Sequence, residues 1–294
     1  MKLEPECVGC LFNQIMRALK TLKHDLLSED ILQAQKKLIT HLSNININKE
    51  ETPVIGKFVY DIVSETLNEP DPYKHIKKQY NELALEYYSK VEKIVNNSED
   101  PVLKAIIVAA IANTIDFGSQ HEIDFISDLK HFQMEKLVIN DYDKFKDTLT
   151  KKTHILIVGD NSGEIVYDKL LISTIKKKYP EIKIVYAVRS APIINDVTIE
   201  DAKFVKMVDL VQVIESCPTP GIHIESSTEE FKHYFYLEDN IIISKGQGNF
   251  ESLYGLDFPD LEIYYLLKAK CTLMERLLDV KIGDFIFKKK TIGF

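Results

Sequence analysis

From residue 152 onward, short apolar runs alternate with amphipathic segments, and few architectures accommodate that rhythm. Residues 154–159 read as a strand buried on both faces, because every position from Ile155 to Val158 is apolar. A helix follows over 164–178, with Ile165, Leu170, Leu171 and Ile175 pointing inward. Further strands are expected at 182–188, 210–214, 240–246, 262–267 and 284–287, with helices over 198–207, 226–236 and 272–279 between them. Strands separated by helices imply a mainly parallel, doubly wound sheet with right-handed crossovers, so the loops after the strands open on one edge.

The first half has a different period. Leu11, Phe12, Ile15, Met16, Leu19 and Leu22 recur at helical spacing, and helices are also expected from Ser28, from Thr52-Pro53, across 73–95 and over 101–113. Residues 119–150 show weak periodicity and read as a connector. The expectation is therefore an α/β protein. A helical domain spans 1–150, and a Rossmann-like α/β/α domain with a doubly wound, mainly parallel sheet spans 151–294.

Composition excludes several functional classes. A net charge of −8 argues against nucleic acid as the partner. No apolar run approaches the roughly 18 residues of a membrane span, and the first residues lack the apolar core of a signal peptide. The reading is a cytoplasmic protein with no membrane partner, and a homo-oligomer is compatible with it. Four cysteines in 294 residues do not make a disulfide scaffold.

Ligands of open parallel sheets bind just beyond the carboxyl ends of the strands. On that rim the first strand leaves Asp160 and Asn161, and the second leaves Arg189, Asn195 and Asp196. The third leaves Ser216 and Cys217, the fourth Lys245, Gly246, Gln247, Gly248 and Asn249, and the fifth Lys268, Lys270 and Cys271. Asp160, Asn161 and Asp196 supply hard oxygen ligands suited to a divalent metal, among them Mg²⁺, Mn²⁺, Co²⁺ or Ni²⁺. Lys245, Lys270 and Arg189 are candidates for phosphate oxygens, and the amides of Gly246-Gln-Gly248 for an anion nest. The bland reading of the same residues is helix caps and turns. Asn113 and Asp116 share the end of the fifth helix, where they serve either as a C-cap or as pocket residues.

Competing signatures are missing. There is no dinucleotide Gly-x-Gly-x-x-Gly, no Gly-Lys-Ser/Thr phosphate loop and no Gly-x-Ser-x-Gly elbow. Cys7-Val-Gly-Cys10 opens the first helix, and a closed tetrahedral site would need Cys217 and Cys271 as well; the plainer reading is thiols packing as small hydrophobes.

The ordered set Pro5-Glu-Cys7-x-x-Cys10, Asn113-x-x-Asp116-Phe-Gly, Asp160-Asn161-x-Gly-Glu, Pro192-Ile-Ile-Asn195-Asp196, Lys245-Gly-x-x-Asn249 and Leu267-Lys-Ala-Lys270-Cys resembles the damage-control phosphatase family, related to acidic-residue methyltransferase-like proteins. The N-terminal Cys-x-x-Cys and the short length look like its compact archaeal and bacterial branch. The resemblance implies a divalent metal on Asp160, Asn161 and Asp196 in a pocket between the two halves. Asn113 and Asp116 would contribute to that pocket, and Lys245 and Lys270 would hold the phosphate of a small phosphorylated metabolite, such as a sugar phosphate, a nucleotide or a damaged phosphometabolite. Larger members carry Arg-Thr-x-Lys near the last strand; here Leu267-Lys-Ala-Lys270 keeps only the lysine. In the mechanism this implies, either a water or the Asp160 carboxylate attacks phosphorus. Two rival readings share the sheet: an S-adenosylmethionine-dependent carboxyl methyltransferase, which the missing glycine-rich loop disfavours, and a non-catalytic metal-binding module.

Overall fold

The computed structural model describes residues 1–47, 49–112 and 137–291. Three helices, α1 (Pro5–Leu22), α2 (Ser28–Asn44) and α3 (Thr52–Leu67), pack around Leu11, Ile15, Leu19, Ile31, Leu38, Ile55, Val59 and Ile62. Proline stands in the first turn of α1 and of α3, where its missing N–H is not needed. α4 (Lys74–Asn96) and α5 (Pro101–Ile111) follow. α5 is apolar almost all round and is buried accordingly. Asp100 caps it, accepting from the amides of Val102 and Leu103, and also takes the Tyr142 hydroxyl at 2.8 and 2.9 Å.

The stretch expected to be a connector contains structure of its own: β1 (Ile139–Asn140) and α6 (Tyr142–Leu149), whose Tyr142, Phe145 and Leu149 are buried. The Rossmann-like half then runs β2 (His154–Val158), α7 (Glu164–Lys178), β3 (Lys183–Val188), α8 (Ile199–Phe204) and β4 (Gln212–Glu215). It continues with a 3₁₀ turn (Ile224–Ser226), α9 (Glu229–Phe235), β5 (Asn240–Lys245), α10 (Gln247–Leu253), β6 (Glu262–Lys268), α11 (Thr272–Leu278) and β7 (Phe285–Lys289). The strands form one seven-stranded sheet in the order β1-β7-β6-β5-β2-β3-β4. All pairings are parallel except β6 with β7. No described helix is long and apolar enough to cross a membrane.

Side chains alternate between two cores. Ile155, Ile157, Ile241, Ile243 and Tyr264 face α4, α5 and α7, whereas Leu156, Val158, Ile242, Ile263 and Tyr265 face α9, α10 and α11. Residues on both sides of position 150 share the first of these cores, and β1 joins the sheet by pairing with β7. The chain leaves β2 toward β3 and β4 and later returns through β5 on the other side of β2. The crevice between the ends of β2 and β5 is therefore the topological switch point, where open α/β sheets place ligands.

Candidate active site

The loops after β2 and β3 are stitched together by main-chain hydrogen bonds. Val197 N–H donates to the Asp160 carbonyl at 2.9 Å, Ser162 N–H to that of Asn195 at 2.8 Å, and Arg189 N–H to that of Val197 at 2.9 Å. Asn161 and Asp196 thus pair as a short antiparallel bridge. This pairing brings residues 35 positions apart side by side at the switch point. A third element fixes the turn: Asn81 of α4 accepts the Gly163 N–H at 2.7 Å and donates to Asp201 at 2.9 Å. Gly163 sits at φ +81°, a conformation that glycine adopts without cost.

Asn161 donates its Nδ2 to Asp160 Oδ2 at 2.8 Å and to Glu164 Oε1 at 2.7 Å. Both bonds fix the direction of the amide, and its carbonyl oxygen accepts none from the described residues. Beneath it lies a buried chain of polar groups. Lys245 Nζ reaches Glu164 Oε2 at 3.2 Å and Asp168 Oδ1 at 2.5 Å, and the Tyr186 hydroxyl donates to Asp168 Oδ2 at 2.8 Å. On the other side Arg189 Nε donates to Asp196 Oδ2 at 2.7 Å and its Nη2 to Asn249 Oδ1 at 2.9 Å. Asn249 in turn donates to the carbonyls of Lys245 and Gly159.

The carboxylate of Asp160 rests against Gly246, where a β-carbon would lie 2.0 Å from Oδ2. Gly246 has φ +80° and ψ 160°, a region reserved for glycine. The close approach that seats Asp160 thus requires a residue with no side chain at this position.

Four buried carboxyls, Asp160, Glu164, Asp168 and Asp196, face two buried cations, Lys245 and Arg189. Among the described residues of this cluster carboxyls therefore outnumber cations, and the raised proton affinity of Glu164 and Asp196 takes up part of the excess. Burial pushes the Glu164 carboxyl up to about 7; Lys245 pulls it down and Asp160 pushes it further up. Burial likewise pushes Asp196 up to about 7, against the pull of Arg189 and with the push of Asp160. For Lys245 burial favours the neutral amine, but Asp168 and Glu164 outweigh it and hold the ammonium above the ordinary lysine value.

Asp160, Asn161 and Asp196 open into a cleft of about 310 Å³ between the strand ends and the helical layer. Lys270, Gln247 and Glu251 also line it, and Leu11, Gln14, Pro53 and Tyr60 of α1 and α3 complete its wall. Among the described residues no three or more His, Cys, Asp or Glu side chains form a metal-holding group. The set at the switch point is instead two carboxylates and an amide, all hard oxygen donors. A divalent cation would favour the ionised forms of these carboxyls, so the donor set fits such an ion.

The structure brings Asp160, Asn161, Asp196 and Lys270 together at the cleft, and it corrects the positions expected for other residues. Lys245 is fully buried in its pairs with Glu164 and Asp168 and does not face the cleft. Its place, as the last residue of a strand buried at every position, enforces this. Arg189 and Asn249 stand behind Asp196 rather than on the cleft wall, and the Gly246 N–H is taken by the Leu266 carbonyl, so it is not free for an anion nest. Asn113 and Asp116 lie outside the described residues. Cys217 is buried against Thr219 and Gly221, while Cys7, Cys10 and Cys271 lie near Gln14, Gln247 and Glu251. Sequence reasoning did not pick out Asn81, Asp168, Tyr186, Asp201 or Glu251. Glu164 and Asp168 do carry a signal: they lie four apart on a helix whose other inward positions are apolar apart from Thr174.

The damage-control phosphatase ARMT1-like domain matches residues 3–286. The chain belongs to this family. A damage-control phosphatase of Archaeoglobus fulgidus is 32% identical over 296 residues, covering 98% of this chain and 99% of that protein. The damage-control phosphatase PH1575 of Pyrococcus horikoshii is 30% identical over 97% of both chains. An uncharacterized protein of Methanocaldococcus jannaschii, MJ0202, is 33% identical over 99% of this chain and 96% of its own length. The crystal structure of the Pyrococcus protein, described as a DUF89 family protein, superposes with a TM-score of 0.87 at 28% identity, covering 99% of this chain and all of that one. This family likeness and the mixed α/β fold agree with the resemblance read from the ordered motifs.

Proposed function

We propose that this chain is a phosphatase that hydrolyses phosphate monoesters of small metabolites with the help of a divalent metal ion. One observation carries the reading: two carboxyls and an oriented amide oxygen converge with Lys270 in the switch-point cleft, beside a buried cluster in which carboxyls outnumber cations. The family to which the chain belongs, and the printed names of two relatives, support the phosphatase reading. The volume of the cleft suits a small metabolite rather than a polymer.

Asp160, Asn161 through Oδ1, and Asp196 would hold the ion. When bound, such an ion polarises a phosphoryl oxygen and offsets the charge that develops there. The exposed ammonium of Lys270 supplies a second positive charge to the phosphoryl oxygens. Arg189 keeps one Asp196 oxygen engaged and leaves the other directed elsewhere, while Glu164 holds the Asn161 amide nitrogen inward. Asp160, held by Asn161 and seated against Gly246, serves as a ligand in this reading, and a water is the attacking group.

The test is a phosphate-release screen over sugar phosphates, nucleotides and aryl phosphates with Mg²⁺, Mn²⁺, Co²⁺ or Ni²⁺, each with a chelator control. Turnover that needs a divalent ion supports the proposal. Turnover insensitive to chelator removes the metal, and no turnover on any ester removes the phosphatase. Acid-quench trapping of a phosphorylated Asp160 would exclude attack by water.

A further inference from the structure

Among the described residues three carboxyls line the cleft, and only two belong to the proposed metal set. Glu251, on α10, is the third. Its side chain is positioned by Gln247 one turn earlier, whose Nε2 donates to Glu251 Oε1 at 2.6 Å. The same Gln247 amide accepts the Lys270 N–H at 3.0 Å and reaches the Cys271 sulfur at 3.3 Å. One amide thus ties the Glu251 carboxyl to the strand end that carries Lys270. Glu251 Oε2 accepts no hydrogen bond from the described residues, and no lysine or arginine among them pairs with it.

The groups facing Glu251 come from several elements. The Met1 amine donates to the Glu251 carbonyl at 2.6 Å and also faces Glu51. Cys7 of α1 lies close by, with Cys10 and Cys271 near it. From α3, Thr52 and Pro53 line the cleft and bring no charge. Burial pushes the Glu251 carboxyl above its ordinary value, and the Gln247 hydrogen bond and the Met1 amine only partly oppose that.

An alkyl phosphate cannot expel a free alkoxide readily, so its hydrolysis gains from a proton delivered to the departing oxygen. Asp160 and Asp196 are engaged as ligands in the proposed site. Tyr60 is a poor donor, because burial holds its hydroxyl well above the ordinary tyrosine value. We propose that Glu251 is the acid that protonates the departing ester oxygen. In this step the P–O bond to the alcohol breaks and its electron pair stays on the ester oxygen. That oxygen takes the proton from Glu251 Oε2, and the attacking water supplies hydroxyl to phosphorus. The second proton of the water returns Glu251 to its acid form, so the products are the alcohol and inorganic phosphate.

This inference rests on the phosphatase reading and is tested by leaving-group dependence. Wild type and Glu251→Gln are compared on 4-nitrophenyl phosphate, whose phenolate leaves unaided, and on glycerol 2-phosphate, whose alkoxide does not. The expected result is a loss of about 10²–10⁴-fold on glycerol 2-phosphate and less than tenfold on the aryl ester, with the alkaline limb of the kcat profile lost on the alkyl ester. Equal slowing on both esters would overturn the role, because a merely structural change does not sort substrates by leaving group. If Glu251→Gln does not fold, the rates of wild type across a series of aryl and alkyl esters decide: a shallow dependence on leaving-group basicity supports the acid, and a steep one overturns it. Wild type inactive on both esters would overturn the phosphatase reading and this inference with it.

Discussion

Gly246→Ala probes the seat of Asp160. The added carbon would lie 2.0 Å from Oδ2, 2.2 Å from Cγ and 2.6 Å from Oδ1. Ordinary contact requires the carboxylate to retreat by over an ångström, yet the Asn161 amide and the Val197 N–H hold that residue in place. The backbone adds its own cost of about 1–3 kcal/mol, since φ +80° with ψ 160° is a conformation for glycine. Overpacking of this kind costs about 1–3 kcal/mol more. The combined loss is about 4 kcal/mol, near 12 °C in Tm at about 2–4 °C per kcal/mol. A displacement of about 1 Å at a reacting group also costs about 10²-fold in rate. Scanning calorimetry with and without Mn²⁺, together with phosphate release, reads all three quantities. A Gly246→Ala protein with wild-type Tm and wild-type response to Mn²⁺ would refute the packing argument.

Other residues give contrasting outcomes. Lys245→Met leaves Glu164 and Asp168 without their cation and should cost about 3–5 kcal/mol in denaturant unfolding, a stability loss rather than a purely catalytic one. Lys270→Ala, on an exposed side chain, should leave stability within about 0.5 kcal/mol while kcat/KM falls about 10²–10³-fold. Asp100→Ala removes the α5 cap and should cost about 1–2 kcal/mol at pH 7 by chemical unfolding. Burial alone would raise the Asp100 carboxyl, but the Tyr142 hydroxyl, the Leu103 and Val102 amides and Lys178 hold it below its ordinary value. Its contribution is therefore present above roughly pH 4 and lost as pH falls through the depressed value, so wild type and Asp100→Ala should converge on the acid side.

Much of the fold is legible in the sequence because the strand-and-helix rhythm after residue 152 leaves few alternatives. The apolar runs that became β2, β5 and β6 are buried on both faces, and that alone places the polar residues after them on one rim. Asp160, Asn161 and Asp196 share that rim for this reason. What pattern could not supply is direction and depth. Lys245 and Lys270 look alike as cations after strands, but the first ends a strand buried at every position and the second lies two residues beyond β6 in the open. Asn81 carries no signal in the sequence because it lies in a long charged helix, and only the tertiary fold brings it to the Gly163 turn. β1 and α6 were hidden in a stretch of weak periodicity, where burial depends on pairing with β7 at the far end of the chain.

Titration calorimetry of Mn²⁺ into wild type, Asp160→Asn and Asp196→Asn tests the central claim most directly. Each substitution keeps the size of the side chain and removes one charge from the switch-point set. The expected result is one ion bound per wild-type chain and a loss of at least about tenfold in affinity in each variant, that is, about 1.4 kcal/mol or more. Equal affinity in all three proteins, or no binding to wild type, would contradict the account.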